Sequence, residues 1–314
     1  MSGPCPACGS PRTRPVESAG VDELARAWAR QPHLAGTRGQ ARLAAEIRAD
    51  LGANGVRFIA CGECGMEFAD PMRAWSAAHY PDEEYGLAWD HLRALELLSG
   101  SPPLRLLEIG CAEGRFLERA AALGHRATGL DFTAADVRAA RARGLDAREG
   151  DVAALRRVLE PGDRFTAVAM FQIIEHLEDP GAVFRDLGGV AAPGALLLVG
   201  CPSPRRYTRR VAHPDRVGRS DFWDWPPQHT LRWGERSLRA FLGRHGWRVE
   251  RAEHEPFSLR GAAAHVAGLR GAGRHGAVRR RLETARAMAQ VAAARARGPL
   301  SGIRLLVAAR REAA

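Results

Sequence analysis

The chain has 314 residues, 46% of them apolar and 6% aromatic, with 34 Gly and 19 Pro, which suffices for one large α/β unit plus a small appendage and excludes collagen-like and Pro/Gly-dominated disordered classes. The formal charge is +10 from 46 basic and 36 acidic residues, and every basic residue is arginine, so any mechanism that needs a lysine is excluded. The arginines are spread along the chain with short runs such as Arg205-Arg206, Arg209-Arg210 and Arg279-Arg280-Arg281, a pattern that reads first as a GC-rich coding sequence and leaves nucleic-acid binding only as an alternative.

The N-terminus Met1-Ser2-Gly3-Pro4-Cys5 lacks a charged-then-apolar signal pattern, and no apolar run of about 18 residues follows anywhere. A cytoplasmic protein without a membrane segment is therefore expected. Cys5-Pro6-Ala7-Cys8-Gly9 and Cys61-Gly62-Glu63-Cys64-Gly65 are two C-x-x-C-G knuckles. In each, a tight turn presents two thiolates to one ion, and the glycine relieves the turn. Together they predict a closed tetrahedral Cys₄ site for a structural Zn²⁺. The 52 residues between Cys8 and Cys61 exceed the usual ribbon spacing of roughly 12 to 20. Helical patterns at Val21–Arg30 and Gln40–Leu51 account for the excess as an insertion. Val56–Ala60 and Met66–Phe68 read as the strands entering and leaving the second knuckle.

Pro71–Ser99 reads as connecting helix, with Tyr80, Tyr85, Trp89, Leu92, Leu95 and Leu98 as packing positions and Tyr80 and Tyr85 as candidates to cover a substrate. Leu104–Ile109 reads as a buried strand, followed by the turn Gly110-Cys111-Ala112-Glu113-Gly114 and a helix from Arg115 to Leu123. Glycine turns of this kind let backbone approach a ligand at a helix N-terminus. The next strand, His125–Leu130, ends at Asp131, 21 residues after Gly110, the spacing of a carboxylate that accepts from both ribose hydroxyls. Asp151, in Glu149-Gly150-Asp151-Val152, can accept from an adenine amino group while Val152 lies against the ring.

Further strands are expected at Phe165–Phe171 and, after the turn Ala192-Pro193-Gly194, at Ala195–Gly200. Alternation of this kind specifies a doubly wound α/β fold whose seven-stranded sheet is mostly parallel, with ligands at the carboxyl ends of its strands. Cys201–Trp233 has no clear period and reads as a long lid carrying Tyr207, Phe222, Trp223 and Trp225. A helix at Ser237–Leu242, a strand at Trp247–Glu250, an Arg/Ala-rich helical region from Phe257 to Pro299 and a strand at Ile303–Ala308 complete the chain. The basic face of the helical region can cover the site, mediate a homodimer or simply be solvated, the last being the default.

The segments L-E-I-G-C-A-E-G-R-F, G-L-D, E-G-D-V, F-Q-I-I-E-H-L-E-D-P and A-P-G-A-L-L-L-V-G-C-P-S-P resemble the successive motifs of class I S-adenosylmethionine-dependent methyltransferases, above all the ubiquinone-type and natural-product or cell-surface subgroup. The knuckles and P-P-Q-H-T-L-R-W resemble zinc-ribbon members that include sugar methyltransferases. The resemblance spans residues 101–255 and implies a Rossmann-like cofactor domain. It implies that Glu108, Gly110, Cys111 and Gly114 hold the methionine and ribose side, Asp131 the ribose, Phe132, Asp151 and Val152 the adenine, and Gln172 the methionyl part. Glycine usually stands at Cys111 or Ala112, so the turn departs from the family there. In related ubiquinone-type enzymes an acid-and-histidine cluster can hold a divalent cation; here Gln172 stands where an acidic ligand would help.

For the methyl acceptor, His176 is the first candidate general base and His229 the second. The division expected is a zinc ribbon at 1–70, connecting helices at 71–100, the cofactor-binding domain at 101–256 with 300–314, and a helical insertion at 257–299. The function expected is methylation of a small-molecule acceptor at O or C in secondary metabolism or glycan modification. The alternatives are an RNA or protein methyltransferase and a non-catalytic cofactor-binding protein.

Overall fold

The computed structural model describes residues 3–29, 32–74, 86–159, 162–211, 216–218, 220–270 and 277–313. Tyr80 and Tyr85 lie outside them.

Near the N-terminus, β1 (Thr13–Ala19), β2 (Val56–Cys61) and β3 (Glu67–Asp70) form an antiparallel sheet. Between β1 and β2 run α1 (Val21–Trp28) and α2 (Pro32–Leu51). Helix α1 buries Val21, Leu24, Ala25 and Trp28 on one stripe and carries Asp22 and Glu23 in its first turn, where they oppose the helix dipole. The sheet is completed by β11 (Leu231–Arg232), which pairs Leu231 with Phe68 and Arg232 with Glu67. The unit expected at 1–70 is thus not contiguous in the chain.

Helix α3 (Trp89–Ser99) leads into the large sheet and buries Asp90, Ala94 and Leu98 at four-residue steps. Leu92, expected to pack, is half exposed, because it falls off this stripe.

The large sheet has seven strands in the order β12-β13-β8-β7-β4-β5-β6. These are β4 (Arg105–Ile109), β5 (Arg126–Asp131), β6 (Asp146–Glu149), β7 (Phe165–Phe171), β8 (Ala191–Pro202), β12 (Trp247–His254) and β13 (Arg304–Arg311). Leu106, Leu107, Glu108 and Ile109 of β4 are all buried, as befits a central strand covered on both faces. Helices α4 (Arg115–Ala122), α5 (Ala134–Ala142), α6 (Leu155–Val158) and α7 (Pro180–Val190) connect the first five of these strands. The start of α7 is fixed by Asp179, whose carboxylate accepts from Ala182 N at 2.9 Å, with Pro180 in the first turn.

The sheet is mixed. Strands β4 to β8 pair in parallel, whereas β13 is antiparallel to both β8 and β12. After β12 the chain turns back through α9 (Leu259–Leu269) and α10 (Ala277–Ala296) and inserts β13 between two strands already laid down, so it runs against both. β8 also starts earlier than expected, at Ala191, absorbing the Ala192-Pro193-Gly194 turn.

Described residues between 201 and 233 border a cleft and are well packed. Tyr207, Phe222, Trp225 and Trp233 are buried, and β9 (Arg216–Val217) pairs with β10 (Ser220–Asp221) as a short ribbon. Phe222 and Trp223 pack edge-on against Trp28 of α1, and Trp225 against Phe58 of β2. The order comes from partners distant in the chain, which no local period can signal.

Candidate active site

The carboxyl ends of β4, β5, β7 and β8 open into one cleft. It holds ≈ 1590 Å³, more than the roughly 300–1,000 Å³ of an ordinary small-molecule pocket.

At one end β4 delivers Glu108 and the turn after it. Gly110 and Gly114 take φ values of 75° and 82°, a region that glycine enters without steric cost. A Cβ on Gly114 would lie 2.5 Å from Leu145 Cδ1, so both conformation and space require glycine there. Ala112, where the family pattern favours glycine, has φ 44°; the departure seen in the sequence is therefore met by a strained alanine. Cys111 packs with Val137, Ala140 and Ala147, and its N–H donates to Leu130 O at 3.2 Å.

Asp131 ends β5 and is nearly buried. Ala112 N donates to its Oδ2 at 2.9 Å and Thr133 N to its Oδ1 at 2.8 Å. Each oxygen retains accepting capacity, which suits a vicinal diol. Glu108 is buried, and its Oε2 has no partner among the described residues. Burial, followed by the charge of Asp131, pushes its carboxyl well above the usual range. An ammonium group brought by a ligand would satisfy this orphaned oxygen. Phe132 and Val152 line the same end, and Asp151 joins them while accepting from Ala153 N at 2.8 Å. The residues present thus fit an adenosyl amino acid.

Gln172 also reaches the cleft, in a left-handed conformation with φ 55°. Its Nε2 donates to Asp90 Oδ2 at 3.0 Å, so the amide is tied to α3. Asp90 lies against Arg304 Nε at 3.2 Å and His91 Nδ1 at 3.3 Å. Burial raises its pKa, but His91, Arg304 and Gln172 together hold it below the usual carboxylate range. Reading α3 as plain packing missed this group; an acid on the Asp90, Ala94, Leu98 stripe was the available signal.

At the other end stand His176 and His229, whose rings meet edge to face with centroids 4.8 Å apart. His176 Nδ1 lies 2.6 Å from the Gln228 carbonyl. Burial and then His229 lower its pKa to about 3. His229 Nδ1 lies 3.5 Å from Asp224 Oδ1; burial lowers its pKa although Asp224 opposes the shift. Asp224 is in turn ion-paired with buried Arg206. Burial works against the Asp224 charge, but Arg206 and the His229 contact hold its carboxyl far below the usual range. Glu175 completes the group: one of its carboxylate oxygens lies within 4.8 Å of a ring nitrogen of each histidine, and neither carboxylate oxygen has a hydrogen-bond partner among the described residues. The sequence reading named the two histidines but neither their contact nor Asp224 and Arg206 behind them.

A second cluster lies outside the cleft. The Sγ atoms of Cys5, Cys8, Cys61 and Cys64 lie within 4.8 Å of one another, with Cys5–Cys64 and Cys8–Cys61 each at 3.6 Å. A tetrahedral ion with bonds of about 2.3 Å to sulfur demands edges of about 3.8 Å. The set therefore fits one soft dication, and burial pushes Cys5 up to about 11, so a cation would be needed to keep it as a thiolate.

A protein-family model described as "Methyltransferase domain" matches residues 81–252. Among curated proteins, the ubiquinone biosynthesis O-methyltransferase of Caulobacter sp. (strain K31) is 29% identical over 147 residues, covering 44% of this chain and 57% of that protein. The protein of the same name from Bradyrhizobium sp. (strain ORS 278) is 30% identical over 148 residues, covering 46% and 55%. The chain thus spans little more than half the length of these relatives. Among solved structures, an S-adenosylmethionine-dependent methyltransferase from Mesorhizobium loti aligns with TM-score 0.46 and 20% identity, over 71% of this chain and 98% of that one.

Proposed function

Because the chain belongs to the methyltransferase-domain family matched over residues 81–252, we propose that it transfers the methyl group of S-adenosylmethionine to a small-molecule acceptor. One observation carries this reading: a single cleft joins the Glu108 and Asp131 carboxylates at one end to the His176 and His229 pair at the other. Bound S-adenosylmethionine supplies a methyl carbon on a sulfonium, open to in-line displacement. Asp131 would accept from the ribose hydroxyls and Glu108 from the amino group, and Phe132, Asp151 and Val152 would border the adenine. Gly110, Cys111 and Gly114 shape the turn beneath them. Gln172, held by Asp90, borders the methionyl portion.

Displacement at that carbon would release the acceptor's proton, and an imidazole at the far end of the cleft would take it up. His229 is better placed for this than His176, since Asp224 stands behind it to stabilise the imidazolium. That reverses the order expected from sequence. A second reading is favoured by the two unpartnered oxygens of Glu175: Glu175, His176 and His229 hold a divalent cation that polarises the acceptor. Added Mn²⁺ that raises the melting temperature of the wild type but not of Glu175→Gln would select it.

The acceptor class we assign is a secondary metabolite or a sugar, in a cytoplasmic setting, with RNA or protein as the alternative and a homodimer as an open arrangement. The Cys₄ cluster is assigned a structural Zn²⁺. The division we assign is a ribbon unit at 1–70 whose sheet borrows 231–232 from the cofactor domain at 101–256 and 300–314, with 71–100 as the connection and 257–299 as the helical insertion. Among the described residues no helix is long and apolar enough to cross a membrane. Calorimetry with S-adenosylhomocysteine tests the cofactor assignment: the wild type binds with micromolar affinity, and Asp131→Ala loses at least tenfold. Equal binding by the two would remove the assignment.

A further inference from the structure

The segment that completes the cysteine-bearing sheet also grips the loop that follows β7. Thr230 is fully buried between them. On one side its carbonyl accepts from Ala69 N of β3 at 2.8 Å. On the other, its N–H donates to the Glu175 carbonyl at 2.9 Å and its Oγ1 to the Leu177 carbonyl at 2.9 Å. Leu231 N adds a bond to the Glu175 carbonyl at 3.1 Å, and Trp233 Nε1 one to the Ile174 carbonyl at 3.1 Å. Three carbonyls of the loop are therefore held by residues 230–233.

That segment is itself fixed by the sheet. Arg232 pairs with Glu17 at 2.8 Å and Glu67 at 3.1 Å, and its guanidinium lies 3.4 Å from the Phe58 ring centroid. Met66 and Phe68 share one continuous core with Val168, Met170 and Leu231, so the sheet and the large domain are packed as a unit. Residues 172–178 form neither helix nor strand; their shape is imposed by what binds their backbone.

We infer that Thr230 is a positioning residue, through which the edge of the cysteine-bearing sheet sets the loop that carries Glu175 and His176. The N-terminal sheet is then a working part of the acceptor end of the cleft. The functional meaning rests on the reading of that loop as the acceptor wall; the mechanical link does not.

The test is amide hydrogen exchange on the full chain in the wild type, Thr230→Val and Thr230→Ser. Valine keeps the shape and removes the hydroxyl that donates to the Leu177 carbonyl at 2.9 Å and to the Glu175 carbonyl at 3.3 Å; serine restores the donor. Exchange at residues 173–178 should be about tenfold faster in Thr230→Val and return to the wild-type rate in Thr230→Ser. Affinity for S-adenosylhomocysteine and exchange in β4 and β5 should stay unchanged in both. Wild-type exchange at 173–178 in Thr230→Val overturns the inference, as does acceleration spread evenly over the whole chain or a failure of serine to rescue. If the wild type binds no S-adenosylhomocysteine, the cofactor reading fails while the exchange comparison still decides the role of Thr230.

Discussion

His176 and His229 stand on separate loops, yet their rings meet at 70° with centroids 4.8 Å apart. Burial disfavours the charged form of both rings and lowers both pKa values, and for His176 the neighbouring imidazole adds to the shift.

This has a consequence for acid stability. His176 is lowered from 6.5 to about 3, so below pH 6.5 the unfolded chain binds a proton that the folded chain refuses. The stabilisation is complete above the unfolded value and is lost as pH falls toward the folded one. Since the ring is partly accessible, a loss of about 1–2 kcal/mol between pH 7 and 5 is expected from His176. Urea melts without added divalent cations should show a shallower pH dependence for His176→Gln; identical slopes would contradict the assignment.

Asp90 ties together Gln172 and Arg304 under the floor of the cleft. Asp90→Asn removes the charge facing Arg304 and should cost about 2–4 kcal/mol of stability. It should also weaken S-adenosylhomocysteine binding by releasing Gln172. Denaturant midpoints and calorimetry on the same preparation check both; a variant matching the wild type in each would show that the contact carries no weight.

Ala112 occupies the left-handed region at φ 44°, which costs an L-residue roughly 1–2 kcal/mol. Glycine relieves that but adds about 0.5–1 kcal/mol of unfolded-state entropy. Ala112→Gly should therefore be neutral to about 1 kcal/mol stabilising, whereas Gly114→Ala, which meets Leu145, should destabilise. Thermal melts of the two variants would show opposite signs, and a destabilised Ala112→Gly would refute the strain argument.

The four thiols predict metal content as well. Elemental analysis should find about one zinc per chain, and Cys61→Ser should lose it along with solubility, because the Cys61 knuckle is the turn between β2 and β3. Metal-free wild type, freshly purified and still folded, would overturn the Zn²⁺ assignment.

Local patterns in the sequence carried a good deal of this. The β4 strand, the Gly110–Gly114 turn, helix α4 and Asp131 at the end of β5 are set by hydrophobic period, glycine placement and spacing within a short stretch, and all were legible. So were both cysteine knuckles, since each is a turn whose geometry is contained in five residues. The mixed character of the sheet, the burial of Tyr207, Phe222, Trp225 and Trp233 and the pairing of β11 with β3 were not, because each depends on which distant segments meet.

Glu108, Gly110, Gly114 and Asp131 are legible because they belong to one strand-turn-helix-strand unit and reach the cleft along with it. At the other end of the cleft His176 and His229 stand out in the sequence as candidates, but how they meet depends on tertiary contacts. His229 lies beside residues 230–232, which bond to the N-terminal sheet, Asp224 meets His229 while paired with Arg206, and Gln172 donates to buried Asp90 of α3. The links from 230–232 to β3, from Arg206 to Asp224 and from Gln172 to Asp90 join segments separated in the chain, set by the need to satisfy buried polar atoms once the core has closed.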